Sequence, residues 1–430
     1  MHHQGEMNTY LQSFKGFSSN VKIFLIGNAL ASMGVAIYGL LFNLYLKHMG
    51  FGEAAIGKMI STTSLGIALT AIPAAFIIER FHVKHLVICA MTLSSLFYGL
   101  QVLSHSMELL YSLGLMASMF MAIFNISIAP FYLRNSSPEE RMYLFTINSC
   151  LGILAQFTGY LLGGFIPGIM KLITSSNDEV LIFKLSLILS ISVIFIPNLF
   201  FLKITKVPIP KAKLELFKSL KEKDWSVITK LTLPKLCFAF GAGLVIPFMN
   251  IYLKEKFSLS TQDIGLTFAV LQSFIFVGIF VTPWFMRRTT QLRFILLTSL
   301  ISIPFMVSMG VVGNLGIVLS CFFARGMLMN MSSPITSMFE MERVKEKECV
   351  FASAMILFSY HLVYTYSTRL GGYLIEKFSF GPTFYLSGLS YVVAVILYYK
   401  FFKQDEKKSS SLKDGKTSEL PNEELQEIAS

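Results

Sequence analysis

Two stretches of this chain decide its fold: residues 34–47 read GVAIYGLLFNLYLK, and residues 241–254 read GAGLVIPFMNIYLK. Both end in Asn-x-Tyr-Leu-Lys, and the asparagines, Asn43 and Asn250, are 207 positions apart. Other short segments recur at nearly the same spacing. They are Ile56-Gly57 with Ile264-Gly265, Leu162-Gly163-Gly164 with Leu370-Gly371-Gly372, and Asn125-x-Ser-x-x-Pro130 with Asn330-x-Ser-x-Pro334. These repeats indicate that the chain is a duplication of one unit.

Composition indicates which solvent the chain meets. Of its 430 residues, 54% are hydrophobic and only 14% are charged, and the mean hydropathy is +0.62. A soluble domain is about 25% charged, so this chain cannot cover the surfaces of several soluble domains. Its five cysteines form no CxxC motif, which predicts free thiols and neither a metal site nor a cofactor. The net charge of +11 is assigned to membrane orientation rather than to nucleic-acid binding.

Twelve apolar stretches, most of about 20 residues or more, are long enough to cross a bilayer. They are residues 22–46, 55–78, 85–103, 109–133, 143–166, 181–202, 228–253, 262–286, 292–312, 315–339, 350–375 and 383–402. They lack the strict alternation of a membrane β-barrel, and backbone groups in lipid must bond within their own segment. The prediction is an all-α membrane protein with twelve transmembrane helices in two duplicated six-helix bundles.

The basic residues predict the orientation. With the N-terminus inside, 26 Lys and Arg side chains fall on the cytoplasmic side and 7 on the other, so both termini are expected to be cytoplasmic, in the plasma membrane. The predicted parts are a cytoplasmic N-terminus (1–21), the first bundle (22–203), a linker (204–227), the second bundle (228–403) and a disordered cytoplasmic tail (404–430). The linker is basic and amphipathic, which predicts a helix along the inner membrane surface.

Two loops resemble those of a known family. After the second stretch the chain reads Glu79-Arg80-Phe81-His82-Val83-Lys84, and after the fourth it reads Arg134-Asn-Ser-Ser-Pro138-Glu-Glu-Arg141. With the duplication and the linker, these loops resemble the major facilitator superfamily, whose glycine, aspartate and arginine positions are here partly replaced. The resemblance implies a twelve-helix secondary transporter that works by alternating access. It also implies that Glu79, Arg80 and Lys84 form a gate on the cytoplasmic side.

Ionisable side chains within the stretches are candidates for function. Arg325 lies near mid-depth in the tenth stretch and is predicted to contact substrate or a gate, the alternative being a structural hydrogen-bonding role. His361 lies near the middle of the eleventh and is a candidate proton carrier or, equally, a structural histidine. Lys235 and Arg369 lie nearer the ends, which favours snorkelling to the surface. No Asp or Glu is predicted near mid-depth, so the buried cations lack carboxylate partners and would suit an anionic substrate.

Uncharged polar residues complete the predicted site. By resemblance, helices one, four, seven and ten line the central cavity of this fold. This selects Asn28, Asn125, Asn250 and Asn330, beside Arg325, as substrate contacts. Each asparagine could instead pair between helices.

The function predicted from sequence is transport of a small organic solute. Gly159, Gly163 and Gly168 resemble a signature of the superfamily's antiporters, in which Gly164 and Pro167 stand where a proline and a glycine are expected. The resemblance favours a proton-coupled exporter, and the alternative explanation of the motif is close helix packing through small residues. The alternatives are an importer or exchanger of a small organic anion and, from another class, a membrane sensor with a transporter fold. No P-loop, HExxH motif or nucleophile–base pair suggests an enzyme. The expected partners are a small-molecule substrate, the lipid bilayer and a proton, with no nucleic acid, and the chain is expected to be a monomer.

Overall fold

The computed structural model describes residues 14, 16–205, 224–345 and 348–413. Residues 206–223, which carry the predicted amphipathic linker helix, lie outside the described residues, as does the chain beyond residue 413. Within these ranges the chain is helical almost throughout, which confirms the all-α prediction.

Twelve long segments, α1 to α12, run through the described part of the chain in alternating directions. Their bounds are α1 Ser19–His48, α2 Glu53–Arg80, α3 Val83–Leu103, α4 Met107–Asn135, α5 Pro138–Thr174, α6 Glu179–Phe195 with Pro197–Phe201, α7 Trp225–Val245 with Ile246–Phe248 and Met249–Phe257, α8 Thr261–Met286, α9 Gln291–Val311, α10 Leu315–Met331 with Ser333–Met341, α11 Cys349–Phe378 and α12 Gly381–Lys413. The three interrupted segments have Pro197, Pro247 and Pro334 at their breaks, where proline lacks the N–H that a continuous helix needs.

Eleven of these segments are long and apolar enough to cross a membrane, by length and composition, among the described residues. The remaining one is α11, whose apolar character is diluted by His361, Arg369 and several hydroxyl side chains. The twelve-helix architecture is confirmed. The sequence predicted disorder after Lys403, but the helical backbone of α12 continues to Lys413. Glutamine, glutamate and lysine in this segment are good helix formers.

The two ends of the bundle are named here by the helix ends that lie there. The first residues of α1 and the last of α12 lie at one end, here called the terminal end. The opposite end, where α1 finishes and α2 begins, is called the far end.

Each half packs around buried aromatic rings. In the first half, Phe24 stacks on Phe131 with ring centroids 4.0 Å apart, and in the second, the Phe339 and Phe402 rings meet edge to face at 5.1 Å.

The duplicated motif makes equivalent contacts in both halves. The hydroxyl of Tyr45 donates to the carbonyl of Val102 at 3.1 Å, and the hydroxyl of Tyr252 donates to the carbonyl of Met309. Both tyrosines are fully buried, so each hydroxyl needs such a partner. The repeated tyrosine therefore fastens the first helix of each half to its third.

The duplicated glycines hold the two halves together. Gly164 of α5 lies against Gly265 of α8, and Gly372 of α11 lies against Gly57 of α2. A Cβ atom on Gly372 would come within 2.9 Å of the Gly57 Cα, so only glycine lets these backbones approach so closely. Two symmetry-related helix crossings, α5 with α8 and α2 with α11, thus join the halves.

Candidate functional site

A cavity of about 400 Å³ lies in the second half, and it is lined by charged, polar and aromatic side chains. Its lining comes from α7, α9, α10, α11 and α12. The lining residues are Lys235, Phe238, Ala242, Ile246, Ile295, Ser299, Arg325, Met329, Asn330, Ser332, Ser333, Thr336, Ser337, Tyr360, Tyr391 and Tyr398. The lining combines apolar and aromatic side chains with polar and cationic groups, as is typical of sites for small organic ligands.

Arg325 is the central charged group of this cavity. Its side chain is 6% exposed, and its Nη2 atom donates a hydrogen bond of 2.6 Å to the hydroxyl of Tyr391. Its Nε atom is buried without a hydrogen-bond partner. In the described part of the chain no carboxylate forms an ion pair with it. A guanidinium presents several donors in one plane, so Arg325 retains a donor for a ligand oxygen.

The expectation that the buried cations lack acidic partners is wrong for Lys235, which has a carboxylate partner. Its Nζ atom lies 2.8 Å from Oε2 of Glu340, whose side chain is 4% exposed. Lys235 therefore does not simply snorkel to the surface. The pair was missed because Glu340 is the first residue beyond the predicted tenth stretch, and it is distant from Lys235 along the chain. In the structure both lie in the terminal half of the bundle, and Lys235 also borders the cavity.

A second cavity, of about 340 Å³, lies in the first half between α1, α4 and α5. Its lining has no charged residue and includes Asn28, Asn125, Gln156 and Tyr160. The Asn28 amide also donates to Oδ1 of Asn148 at 2.9 Å, which leaves its own oxygen for other contacts. The structure thus brings the predicted Asn28 and Asn125 together in one cavity, and Asn330 lies with Arg325 in the other.

Asn250 lies in neither cavity but in a junction between the halves at the far end. Its amide donates to the carbonyl of Leu40 at 3.0 Å. The amide of Asn43 donates to the carbonyl of Pro247 at 2.8 Å and approaches Oδ1 of Asn250 at 3.4 Å. These two asparagines are the equivalent residues of the duplicated motif. We call the set Leu40, Asn43, Pro247 and Asn250 the asparagine junction.

Ion pairs and a hydrogen bond make further contacts at the far end, beside the asparagine junction. Lys47 of α1 contacts Glu53 of α2 and lies 2.6 Å from Glu255 of α7. The carboxylate of Glu376 on α11 accepts a hydrogen bond of 2.9 Å from the backbone N–H of Ala54. Each half thus supplies a partner to the other, and the far end is closed in this conformation.

His361 also lies between the halves. Its Nδ1 atom is 3.0 Å from the hydroxyl of Ser64 on α2, and the same hydroxyl donates to the backbone carbonyl of His361. The ring therefore faces the α2–α11 crossing and lines neither cavity. A role in proton coupling would act through that crossing.

The predicted gate lies at the terminal end. Arg80 is exposed at the end of α2, and Lys84 donates to the carbonyls of Leu202 and Ile204 at 2.8 and 2.5 Å, within its own half. The side chain of Glu79 lies outside the described residues. Lys84 thus fastens α3 to the end of α6 in this conformation.

Tyr391 and Gln156 are further cavity residues that sequence reasoning did not select. Tyr391 is on α12, a helix that the resemblance places outside the central cavity, and its hydroxyl is the partner of Arg325. Gln156 on α5 lies 3.5 Å from Gln272 on α8, across the halves. Both are polar groups within apolar segments, which was the available signal.

Metal chemistry has no support in the described residues, where no group of three or more His, Cys, Asp or Glu side chains could hold an ion. The five cysteines are unpaired.

Comparison with protein families identifies one match. The model of the Major Facilitator Superfamily matches residues 24–368, which is most of the chain. No curated protein matches the sequence.

Solved structures share the fold at low sequence identity. An inward-facing bacterial homologue of the human lysosomal transporter Spinster has a TM-score of 0.74 and 14% identity, with 90% of this chain and 97% of that chain covered. A bacterial homologue of the iron transporter ferroportin has a TM-score of 0.71 and 14% identity, covering 88% and 98%. A D-xylose–proton symporter has a TM-score of 0.70 and 14% identity, covering 91% and 98%. At this identity the likeness concerns the fold alone.

Proposed function

This chain belongs to the Major Facilitator Superfamily, and from that premise we propose that it is a secondary transporter that imports or exchanges a small organic anion. The observation that carries this proposal is Arg325, a buried guanidinium that borders a cavity and has a tyrosine hydroxyl as its partner. An unneutralised cation in a low-dielectric site is costly, and an anionic ligand offsets that cost.

The surrounding groups support an organic anion rather than a bare inorganic ion. Tyr360 and Tyr391 supply aromatic surface next to Arg325, and Asn330 adds a polar amide. The uncharged first-half cavity, with Asn28, Asn125 and Gln156, could contact the rest of the solute when the halves close on it. Alternating access would then carry the solute across.

The exporter hypothesis has less support from the geometry. Its signal was the glycine motif of α5, and those glycines have packing roles: Gly159 and Gly163 lie against α1, and Gly164 lies against Gly265. Packing accounts for the motif without any reference to direction. The buried cation Arg325 favours an organic anion as the solute, and among the hypotheses from sequence the importer or exchanger is the one that names such a solute.

Arg325→Gln is expected to weaken anion binding by at least about tenfold, because a charge-assisted hydrogen bond contributes about 1.5–3 kcal/mol. Arg325→Lys should restore part of the affinity because it keeps the charge but not the planar donors. The measurement is binding and uptake of a panel of labelled mono- and dicarboxylates by purified protein in liposomes. Arg369→Gln, at an exposed arginine, is the control. An anion transported equally well by wild type and Arg325→Gln would contradict the proposal.

We also propose that the terminal end faces the cytoplasm, in the plasma membrane, as the distribution of basic residues predicts. In a variant without native cysteines, Asn177→Cys should react with a membrane-impermeant maleimide in intact cells. Lys203→Cys should react only after the cells are permeabilised. Both positions are exposed, at the far and terminal ends respectively, so the reverse pattern would overturn the orientation.

A further inference from the structure

The Lys235–Glu340 pair has no part in the function proposed above. Lys235 on α7 has two neighbours of different kinds: the carboxylate of Glu340 at 2.8 Å, and the cavity that also contains Arg325. Glu340 is 3% exposed. Its charge is therefore stabilised chiefly by Lys235, since water has little access to it.

Counting charges shows what the cavity can hold. Arg325 and Lys235 each contribute one positive charge, and Glu340 contributes one negative charge, so the site carries one net positive charge. A monoanion balances it while Lys235 remains bound to Glu340. A dianion needs a second cation, and among the described lining residues Lys235 is the other cation. If Lys235 turns to the ligand, Glu340 is left buried without its counter-charge, and such a carboxylate takes up a proton.

We propose that Lys235 is an exchange residue between Glu340 and the substrate, so that each dianion binds together with one proton on Glu340. The inference rests on the proposed anion transport and names its substrate class and its coupling site. When the dianion binds, the Lys235–Glu340 ion pair breaks, an ion pair between Lys235 and the ligand forms, and a proton from solution joins a Glu340 oxygen. The bound site then carries no net charge, because the two cations face a dianion and the protonated Glu340 is neutral. The proton thus travels in the same direction as the anion.

Among the residues that the structure describes, few other charged groups face Glu340. From α7 the facing group is Lys235, and from α12 it is the hydroxyl of Tyr398, which adjoins the carboxylate. Arg343, just past the end of α10, places its guanidinium over the ring of Phe339. His361 lies at the α2–α11 crossing with Ser64. The inference therefore moves the predicted proton-coupling role from His361 to Glu340.

The first experiment needs no substrate. Lys235→Met should convert Glu340 to its protonated form at neutral pH, seen as a protonated-carboxyl band in infrared difference spectra of the purified protein. The band should be absent from wild type and from the double variant Lys235→Met/Glu340→Gln. If Glu340 stays ionised without Lys235, releasing Lys235 cannot drive protonation, and the inference fails. The double variant removes both charges together, which guards against misfolding caused by one unpaired charge.

The second experiment compares succinate, a dianion, with monomethyl succinate, a monoanion of similar shape. For wild type, the affinity for succinate should fall tenfold for each pH unit above neutrality, with one proton taken up per molecule bound in weakly buffered solution. The affinity for the monoanion should not change with pH. Glu340→Gln should remove the pH dependence, and His361→Asn should preserve it.

The outcomes separate the two proposals. If neither succinate, its monomethyl ester nor any other carboxylate of the panel binds in a manner that depends on Arg325, the proposed function is contradicted, and the infrared result alone decides the Lys235–Glu340 exchange. If succinate binds through Arg325 without proton uptake, anion transport stands and the exchange is overturned. A pH dependence that His361→Asn removes and Glu340→Gln preserves would likewise overturn it.

Discussion

Gly372→Ala will reduce transport by about ten- to a hundredfold, since overpacking a tight contact costs about 1–3 kcal/mol. The added Cβ would lie 2.3 Å from the carbonyl oxygen of Glu53 and 2.9 Å from the Cα of Gly57. Real Cβ atoms essentially never come within 3.0 Å of such neighbours, and both neighbours here are backbone, so α11 must move away from α2. Gly265→Ala should act similarly, because its Cβ would lie 2.6 Å from the Cα of Gly164.

The measurement is transport in liposomes together with the separation of the halves at the far end. Spin labels at Ile173 and Val311, which are 69% and 62% exposed, would report that separation as a distance distribution. Gly152→Ala is the matched control, because nothing lies within 4 Å of a Cβ at that helical glycine. Full transport by Gly372→Ala, with an unchanged far-end distance, would show that the halves do not need this close approach.

Replacing both Asn43 and Asn250 with alanine will shift the empty transporter toward a conformation that is open at the far end, by about ten- to a hundredfold. The pair supplies two hydrogen bonds between the halves, to the carbonyls of Pro247 and Leu40, at 2.8 and 3.0 Å. A hydrogen bond contributes about 0.5–1.5 kcal/mol, and a buried carbonyl left without its donor adds a penalty. Each lost bond therefore destabilises the closed far end and leaves the open one unaffected.

The same pair of spin labels measures this shift as a longer distance population. Asn330→Ala is the control, because the Asn330 amide donates to the carbonyl of Gly326 on its own helix and joins no halves. Lys47→Gln, which breaks the ion pair with Glu255, should shift the population in the same direction by a smaller factor, since a partly exposed pair contributes about 0.2–1 kcal/mol. An unchanged distribution in the Asn43→Ala/Asn250→Ala variant would mean that the asparagine junction does not hold the far end closed.

The sequence alone predicted the architecture because its signals are long and repeated. Hydropathy over about 20 residues identifies a membrane helix, and the recurrence of Asn-x-Tyr-Leu-Lys identifies the duplication. The cavity position of Arg325 followed from its depth within a helix and from the resemblance. These features depend on local composition, which a single sequence displays.

Pairings between distant helices could not be predicted in the same way. Asn250 was expected to contact substrate, and its contacts with Leu40 and Asn43 in this conformation were not predicted. Lys235 was expected to snorkel, and it contacts Glu340. In both cases the rotation of the helix about its axis decides the partner. A helix that is apolar on every side has no polar face in its sequence from which that rotation could be predicted.

The asparagine junction also bears on ancestry. Asn43 and Asn250 occupy equivalent places and each donates into the opposite half, so the surface is self-complementary in the manner of a two-fold homodimer. A single six-helix ancestor with this motif could satisfy its asparagine by pairing with a second copy of itself. Fusion then allowed the copies to diverge: Lys47 meets Glu255, whereas the equivalent positions hold Lys254 and His48, which cannot form the same ion pair. The closed end has thus become asymmetric in sequence while its two asparagine contacts remain equivalent, and each half now carries its own, non-interchangeable share of it.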